Sequence, residues 1–262
     1  MGSDRLAALG PAEAVFVDDF DDESLDRARW VDHYLPHWTT PDRSRARYAL
    51  TDDGLQLRIE ADQLDWRPED APLRVSNVQT ATFCGPRGST RGTHRHRSDG
   101  LTVRTVTPAQ LLWAPRAGQV DVTVTASVDR GCMFAVWLVG TEQEAARDSG
   151  EVCVFEIDAD AVGSASTRAR VGLKAHHDPR LVTDMREVDV GVGAGRAHTW
   201  SARWSPDWVL IAWEQQVIYA SHQRMDYPLQ LMLDLFEVGP RDDTPGYPKT
   251  AMVHRVRGAE LS

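Results

Sequence analysis

Residues 149–163, SGEVCVFEIDADAVG, place Glu151, Glu156, Asp158 and Asp160 in or just after a run that is otherwise Val, Cys, Phe and Ile. Acids are disfavoured in strands and costly against a packed core, so the pattern needs a reason. Two readings are open. In one, Glu156, Asp158 and Asp160 cover a solvent-exposed sheet face and alternate with buried Phe155 and Ile157. In the other, the acids line a cleft as acid and base. Two carboxyls are what glycosidic cleavage needs. One, protonated, donates to the leaving oxygen; the other, ionised, attacks the anomeric carbon or activates water, and in retaining enzymes the two stand about 5–5.5 Å apart. Glu151 and Glu156 would face opposite ways on a regular strand. A single β-bulge between them gives both a common face, and bulges are favoured beside active sites.

The elements that must position such a pair are strands. In residues 54–61 (GLQLRIEA), Leu55, Leu57 and Ile59 share one face, and in 118–128 Val120, Val122 and Val124 alternate with Asp121, Thr123 and Thr125. Residues 132–139 (CMFAVWLV) are apolar on both faces, as in a central strand. Further strands are expected at 151–158, 168–176, 186–192, 199–204, 208–219, 229–237 and 252–258, separated by Gly, Pro, Asp and Ser clusters. The one helical stretch expected is polar, 141–148 (TEQEAARD). About ten to twelve strands without crossover helices imply an all-β chain folded as an antiparallel sandwich or barrel. No repeat or linker divides it, so a single domain over 1–262 is expected, with its ordered core at about 13–259.

Composition narrows the function. A chain of 262 residues with 42% hydrophobic and 26% charged residues is ordinary for a folded protein. Its net charge of −10 argues against a general nucleic-acid binder. No apolar run has the roughly 18 residues of a membrane span. Three cysteines, Cys84, Cys132 and Cys153, do not make a disulfide framework and fit a reducing compartment. The opening MGSDRLAALGPAEAV reads as no export signal, so an exported protein would require a leader beyond this sequence. Nine Trp outnumber six Phe and five Tyr. Such a surplus either fills a β core or provides flat apolar platforms that suit sugar faces.

Other constellations carry less. The loop 85–100 (GPRGSTRGTHRHRSDG) holds Arg87, Arg91, Arg95, Arg97, His94 and His96. It reads as a solvated loop or as a cleft wall for an anionic ligand; the His94/His96 pair alone does not close a metal site. No Gly-x-Ser-x-Gly and no phosphate loop occurs. Cys153 with His176 as a nucleophile pair is a minor option. Asp18, Asp19, Asp21 and Asp22 are either a solvated turn or ligands for a structural calcium ion.

The residues from Gly150 to Glu156 resemble the Glu-x-Asp-x-x-Glu signature of glycoside hydrolase family 16, the laminarinase and lichenase group of the concanavalin A-like lectin/glucanase superfamily. Further segments are similar in order and approximate spacing: VFVDDFDDESLDRARW at 15–30, SNVQT at 76–80, FAVWL at 134–138, AHTWSARWSPDWVLIAWEQQV at 197–217 and PLQLMLDL at 228–235. The resemblance implies a jelly-roll sandwich of two antiparallel sheets with a concave substrate cleft. It implies Glu151 as nucleophile, Glu156 as general acid and then base, and Trp137 as an aromatic floor. It places His176 or His177 in the cleft, Asn77 on a strand before it, Asp234 where the family usually has Asn, and Trp113 as a second platform.

The departure is Cys153, which stands where the family has the Asp that shares a proton with the nucleophile. A thiol is a weak donor, largely neutral at pH 7. A second register, Glu156-x-Asp158-x-Asp160, resembles the unbulged signature and keeps the middle Asp. The expectation is therefore a retaining endo-glycosidase, monomeric and without cofactor, acting on a β-linked polysaccharide or oligosaccharide. The competing expectation is a non-catalytic carbohydrate-binding protein, its activity lost with Cys153. A third, an acidic partner-binding sandwich, predicts a covered concave face.

Overall fold

The computed structural model describes residues 13–97, 100–191, 193, 195–239 and 246–261. Ser98 and Asp99 of the basic loop, and Val192 at the end of one expected strand, lie outside them. Among the described residues, sixteen strands run in the order β1 Ala14–Asp18, β2 Arg47–Thr51, β3 Gly54–Ile59, β4 Arg74–Gln79, β5 Ala81–Thr82, β6 Gln110–Leu111, β7 Gly118–Thr125, β8 Cys132–Gly140, β9 Glu151–Asp158, β10 Thr167–Lys174, β11 Asp184–Val190, β12 His198–Ser205, β13 Trp208–Trp213, β14 Gln216–Ser221, β15 Leu229–Glu237 and β16 Lys249–Glu260. One sheet has the order β14-β13-β12-β7-β16-β3-β2, with β1 also on β16; the other has the order β11-β10-β9-β8-β15-β4. All their pairs are antiparallel. The molecule is an all-β jelly-roll sandwich.

Alternation in the strands builds two apolar clusters. Leu55, Leu57, Ile59, Val120, Val122, Val124, Phe134, Phe155, Leu231 and Leu233 fill the space between the sheets. The second cluster lies on the concave face of the six-stranded sheet, where Trp137, Met232 and Phe236 meet Tyr34, Leu35, Trp38, Trp66 and Leu101 from the connecting segments.

Three sequence expectations change. Residues 141–148 form turns rather than a helix; Glu142 has φ +55°, left-handed backbone that no right-handed helix accepts. The single strand expected at 208–219 is a hairpin, turned at Glu214 and Gln215, both at positive φ. Trp113 is no platform: it is buried between Phe16, stacked at 5.1 Å, and Trp204, so its apolar area stabilises the core.

Across the sandwich, Glu237 of β15 takes ion pairs from Arg74 of β4 and, at 2.7 Å, from Lys249 of the opposite sheet. Tyr247 donates its hydroxyl to the same carboxylate at 2.9 Å. Burial alone would raise the Glu237 carboxyl; these hydrogen bonds hold it below the ordinary value.

Candidate active site

The geometry of the site begins with a bulge. Val136 of β8 pairs with Phe155, and the next residue, Trp137, pairs with Cys153, so Val154 is one residue too many. The other neighbour, β10, shows the same interruption between Arg170↔Glu156 and Gly172↔Cys153. Val154 and Phe155 both enter the core. Glu151, Cys153 and Glu156 consequently share the concave face. One carboxylate oxygen of each glutamate and the Cys153 sulfur lie within 4.8 Å of one another. Asp158 sits further along, ion-paired with Arg170. Asp160 falls in the turn after the strand and is exposed, so the unbulged register does not bring its three acids together.

Neighbouring strands aim the partners. Lys174 stands opposite Glu151 and Arg170 opposite Glu156, while Gly172 between them leaves a gap above Cys153. The Lys174 ammonium reaches Glu151 Oε1 at 2.9 Å and also pairs with Glu156 Oε1. It lies 5.0 Å from the centroid of the Trp137 ring. Arg170 Nε donates to Glu156 Oε2 at 3.1 Å. His176, just past β10, bonds Glu151 Oε2 through Nε2 at 2.8 Å. Because a carboxylate only accepts, that nitrogen carries the proton.

Glu151 is fully buried. Burial alone would raise its carboxyl, but Lys174 and His176 outweigh that and hold it at about 2. Burial, with Glu156 nearby, pushes the Cys153 thiol well above its ordinary value, so the middle position is neutral. The thiol donates to the Arg170 carbonyl. Asp234 is also fully buried, and burial raises it well above the usual carboxylate range. Asn77 Nδ2 donates to its Oδ1 at 2.8 Å.

The walls are two loops. His94 stacks on Trp137 with centroids 5.8 Å apart and meets His176 edge-on at 4.9 Å. Burial, and then His176, push the His94 imidazole well below its ordinary value, so it is neutral. His177 crosses to the facing lip, bonding the Arg95 carbonyl at 2.7 Å. Gly150, before Glu151, admits no side chain, since a Cβ there would lie 2.3 Å from the Tyr227 hydroxyl. That hydroxyl accepts from Gly150 N and donates to Asp178, which Arg180 also holds. His94, Glu142 and His176 all have positive φ, a strain that collects at functional sites. Glu142 carries no signal in the sequence, because nothing in TEQEAARD marks it as buried.

The basic loop does form a wall, but two of its charges are engaged internally: Arg97 pairs with Asp70 at 2.8 Å, and Arg91 donates to the Glu142 and Gln143 carbonyls. The concave face is open only in part. Asn77, Gln79, Gln230, Met232, Phe236 and Trp137 are buried beneath Tyr34, Trp38 and Trp66. Over β9–β11 the floor is accessible, carrying partly exposed Lys174, Arg170 and Met185 and exposed Arg168 and Glu187. The His94, Glu151 and His176 donors also converge within 4.8 Å. That carboxylate already pairs with Lys174 and hydrogen-bonds His176, however, and no metal is assigned there. Near the N-terminal strand, Asp18 spends its oxygens on Phe20 N and Trp30 Nε1, and Asp19 pairs with Arg255. The Asp18–Asp22 acids do not gather into a cation site among the described residues.

No family model and no curated protein matches the chain. Solved structures do. A GlcNAcα1-4Gal-releasing endo-β-galactosidase from Clostridium perfringens superposes with a TM-score of 0.78 at 21% identity, over 95% of this chain and 64% of that one. The chain thus spans less than two thirds of that relative. The catalytic domain of an endo-1,3-β-glucanase (laminarinase) from Thermotoga petrophila RKU-1 gives 0.62 at 13% identity, over 95% and 97%. A non-specific endo-β-1,3(4)-glucanase from family GH16 gives 0.64 at 14%, over 94% of each chain. The fold is that of the family 16 glucanases. On this scaffold the bulged strand carries Glu151 and Glu156, and the apolar cover over β4, β15 and β8 confines access to one side.

Glu142 provides a test of the wall. It is buried, accepts from the Arg95 backbone, and burial lifts its carboxyl to about 8. A folded-state value above the unfolded one stabilises at low pH and loses that stability as pH rises through the folded value. Wild-type unfolding free energy should therefore fall between about pH 5 and pH 8, by on the order of a few kcal/mol. Glu142→Gln should flatten that slope. Asp234, present in both proteins, leaves the comparison unaffected. Denaturant melts at matched pH values measure it, and parallel slopes would refute it.

Proposed function

We propose that the chain is a retaining endo-glycosidase for a β-linked glycan. The observation that carries this is the separation of the glutamates, with one oxygen of each within 4.8 Å. Inverting enzymes need about 6.5–9.5 Å to admit a water, whereas retaining ones use the shorter gap. Glu151, ionised and buried against Lys174 and His176, attacks the anomeric carbon. Glu156 protonates the leaving oxygen, then removes a proton from the water that releases the sugar. Before donating, Glu156 must be freed from Lys174 or Arg170, a change that substrate entering over β9–β11 can drive. The covered half of the face leaves room for few sugars on that side, which supports short products.

A second reading rests on the same cations. A glutamate held by both Lys174 and Arg170, beside a fully buried Glu151, also suits a site that binds glycan without cleaving it. The test is reducing-end release from a panel of β-1,3-glucan, mixed-linkage glucan, agarose, carrageenan, xyloglucan and β-galactoside oligosaccharides, with product lengths resolved. Wild type should release short saccharides, and Glu151→Gln and Glu156→Gln none. Binding with no release by wild type favours the second reading, and full activity in Glu156→Gln ends the first.

A further inference from the structure

We propose that Lys174 is a positioning residue whose ammonium ties the two glutamates together and keeps the Glu151 position a carboxylate. This rests on the reading of Glu151 and Glu156 as a working pair. Two carboxylates this close repel, and such pairs ordinarily respond by protonating one member. Here the charge is met by a cation from the next strand. Lys174 contacts both glutamates, at 2.9 Å from Glu151 and closer to Glu156. No side chain stands between Arg170 and Lys174 on this strand face: Gly172 pairs with Cys153 at φ +140°, and a Cβ there would sit 2.1 Å from the Asp184 carbonyl of β11. With no side chain in between, the lysine stem leans along β10 over the neutral thiol, and its head lies above Trp137.

No other group around Glu151 supplies as much charge as Lys174. On its own strand, Cys153 is a neutral thiol and Glu156 is an acid. Asp234 of β15 and Tyr34 of the covering segment are both shifted toward their neutral forms by burial. His94 of the basic loop is neutral for the same reason. Arg170 is spent on Glu156 and Asp158. His176 supplies a hydrogen bond to one oxygen and leaves the other to Lys174.

The test does not depend on turnover. In protein labelled with carbon-13 at the glutamate side-chain carboxyl, the Glu151 resonance, identified by its loss in Glu151→Gln, is followed across pH. Lys174→Met keeps the apolar stem and removes the charge; it should raise the Glu151 midpoint by about one to three pH units. Lys174→Arg should leave the midpoint near wild type. If Lys174→Met does not fold, Lys174→Gln takes its place with the same expectation. An unmoved midpoint in the neutral variant overturns the proposal, as does an equal rise in Lys174→Arg. Where turnover is measurable, the acid limb of kcat/KM should rise with the midpoint. A moved midpoint in a protein that cleaves no glycan keeps the clamp and rejects the glycosidase reading, so the two failures are distinct.

Discussion

Glu151→Ala should lose at least about 10^4-fold in turnover of a glycan substrate, and added formate should restore part of it with inverted anomeric configuration. Removing the nucleophile leaves Glu156 able to protonate the leaving group but nothing to hold the sugar. The cavity left by the shortened side chain lies beside Lys174 and His176, which held the carboxylate at 2.9 and 2.8 Å. A small carboxylate can enter that place and attack from the same face, and with no second displacement the product keeps the inverted configuration. Glu156→Ala should behave differently, recovering with aryl glycosides whose leaving group needs no proton. Product anomers read by NMR decide the assignment. Rescue of both variants by formate alone, or retained configuration in the rescued Glu151→Ala reaction, would reverse or remove the roles of the two glutamates.

Glu237→Ala should destabilise the protein by about 3–5 kcal/mol, the usual result of removing one member of a buried ion group. Arg74 would keep Asp65 at 3.5 Å and Lys249 the Arg130 carbonyl, but both would lose the buried carboxylate they share from different sheets. Glu237→Gln keeps the shape and removes that shared charge, so it should lose most of that amount. Wild type should share the dependence on the acid side. A carboxyl held below its ordinary value contributes stability above the unfolded value and loses it as pH falls through the folded one. Urea melts at neutral pH measure the variants, and a loss below about 1 kcal/mol would show that solvent reaches the cations.

The strands that were legible in sequence are those whose alternation faces a core on one side. Residues 151–158 and 229–237 are strands with those bounds, because acids and turn residues end both runs sharply. The hairpin at Glu214–Gln215 was hidden because the turn uses neither Asn nor Gly. The bulge followed from one fact, that Glu151 and Glu156 differ by an odd number of positions. Trp113 misled because a tryptophan reads alike whether it will pack against Phe16 or against a sugar. Lys174 carried no signal at all. Its meaning depends on which strand lies beside β9 and on the side chain missing at Gly172, and both are set by pairing between residues far apart in sequence. The cover of Tyr34, Trp38 and Trp66 was equally silent, since apolar residues in a connecting segment do not declare which face they will lie on.

The supernumerary Val154 also bears on how such a chain can change over generations. Val154 and Phe155 are two successive core-facing residues, so either one can be lost without altering which way the preceding stretch points. Deleting Val154 would repair the ladder and leave Glu151, Cys153 and Glu156 in strict alternation on one face, with Val152 and Phe155 still between the sheets. Bulged and regular versions of this strand are thus one residue apart, and neither step turns a carboxylate into the oily interior. A lineage can therefore vary its middle residue, as Cys153 illustrates, and also the length of this strand at the bulge, while both glutamates keep their face.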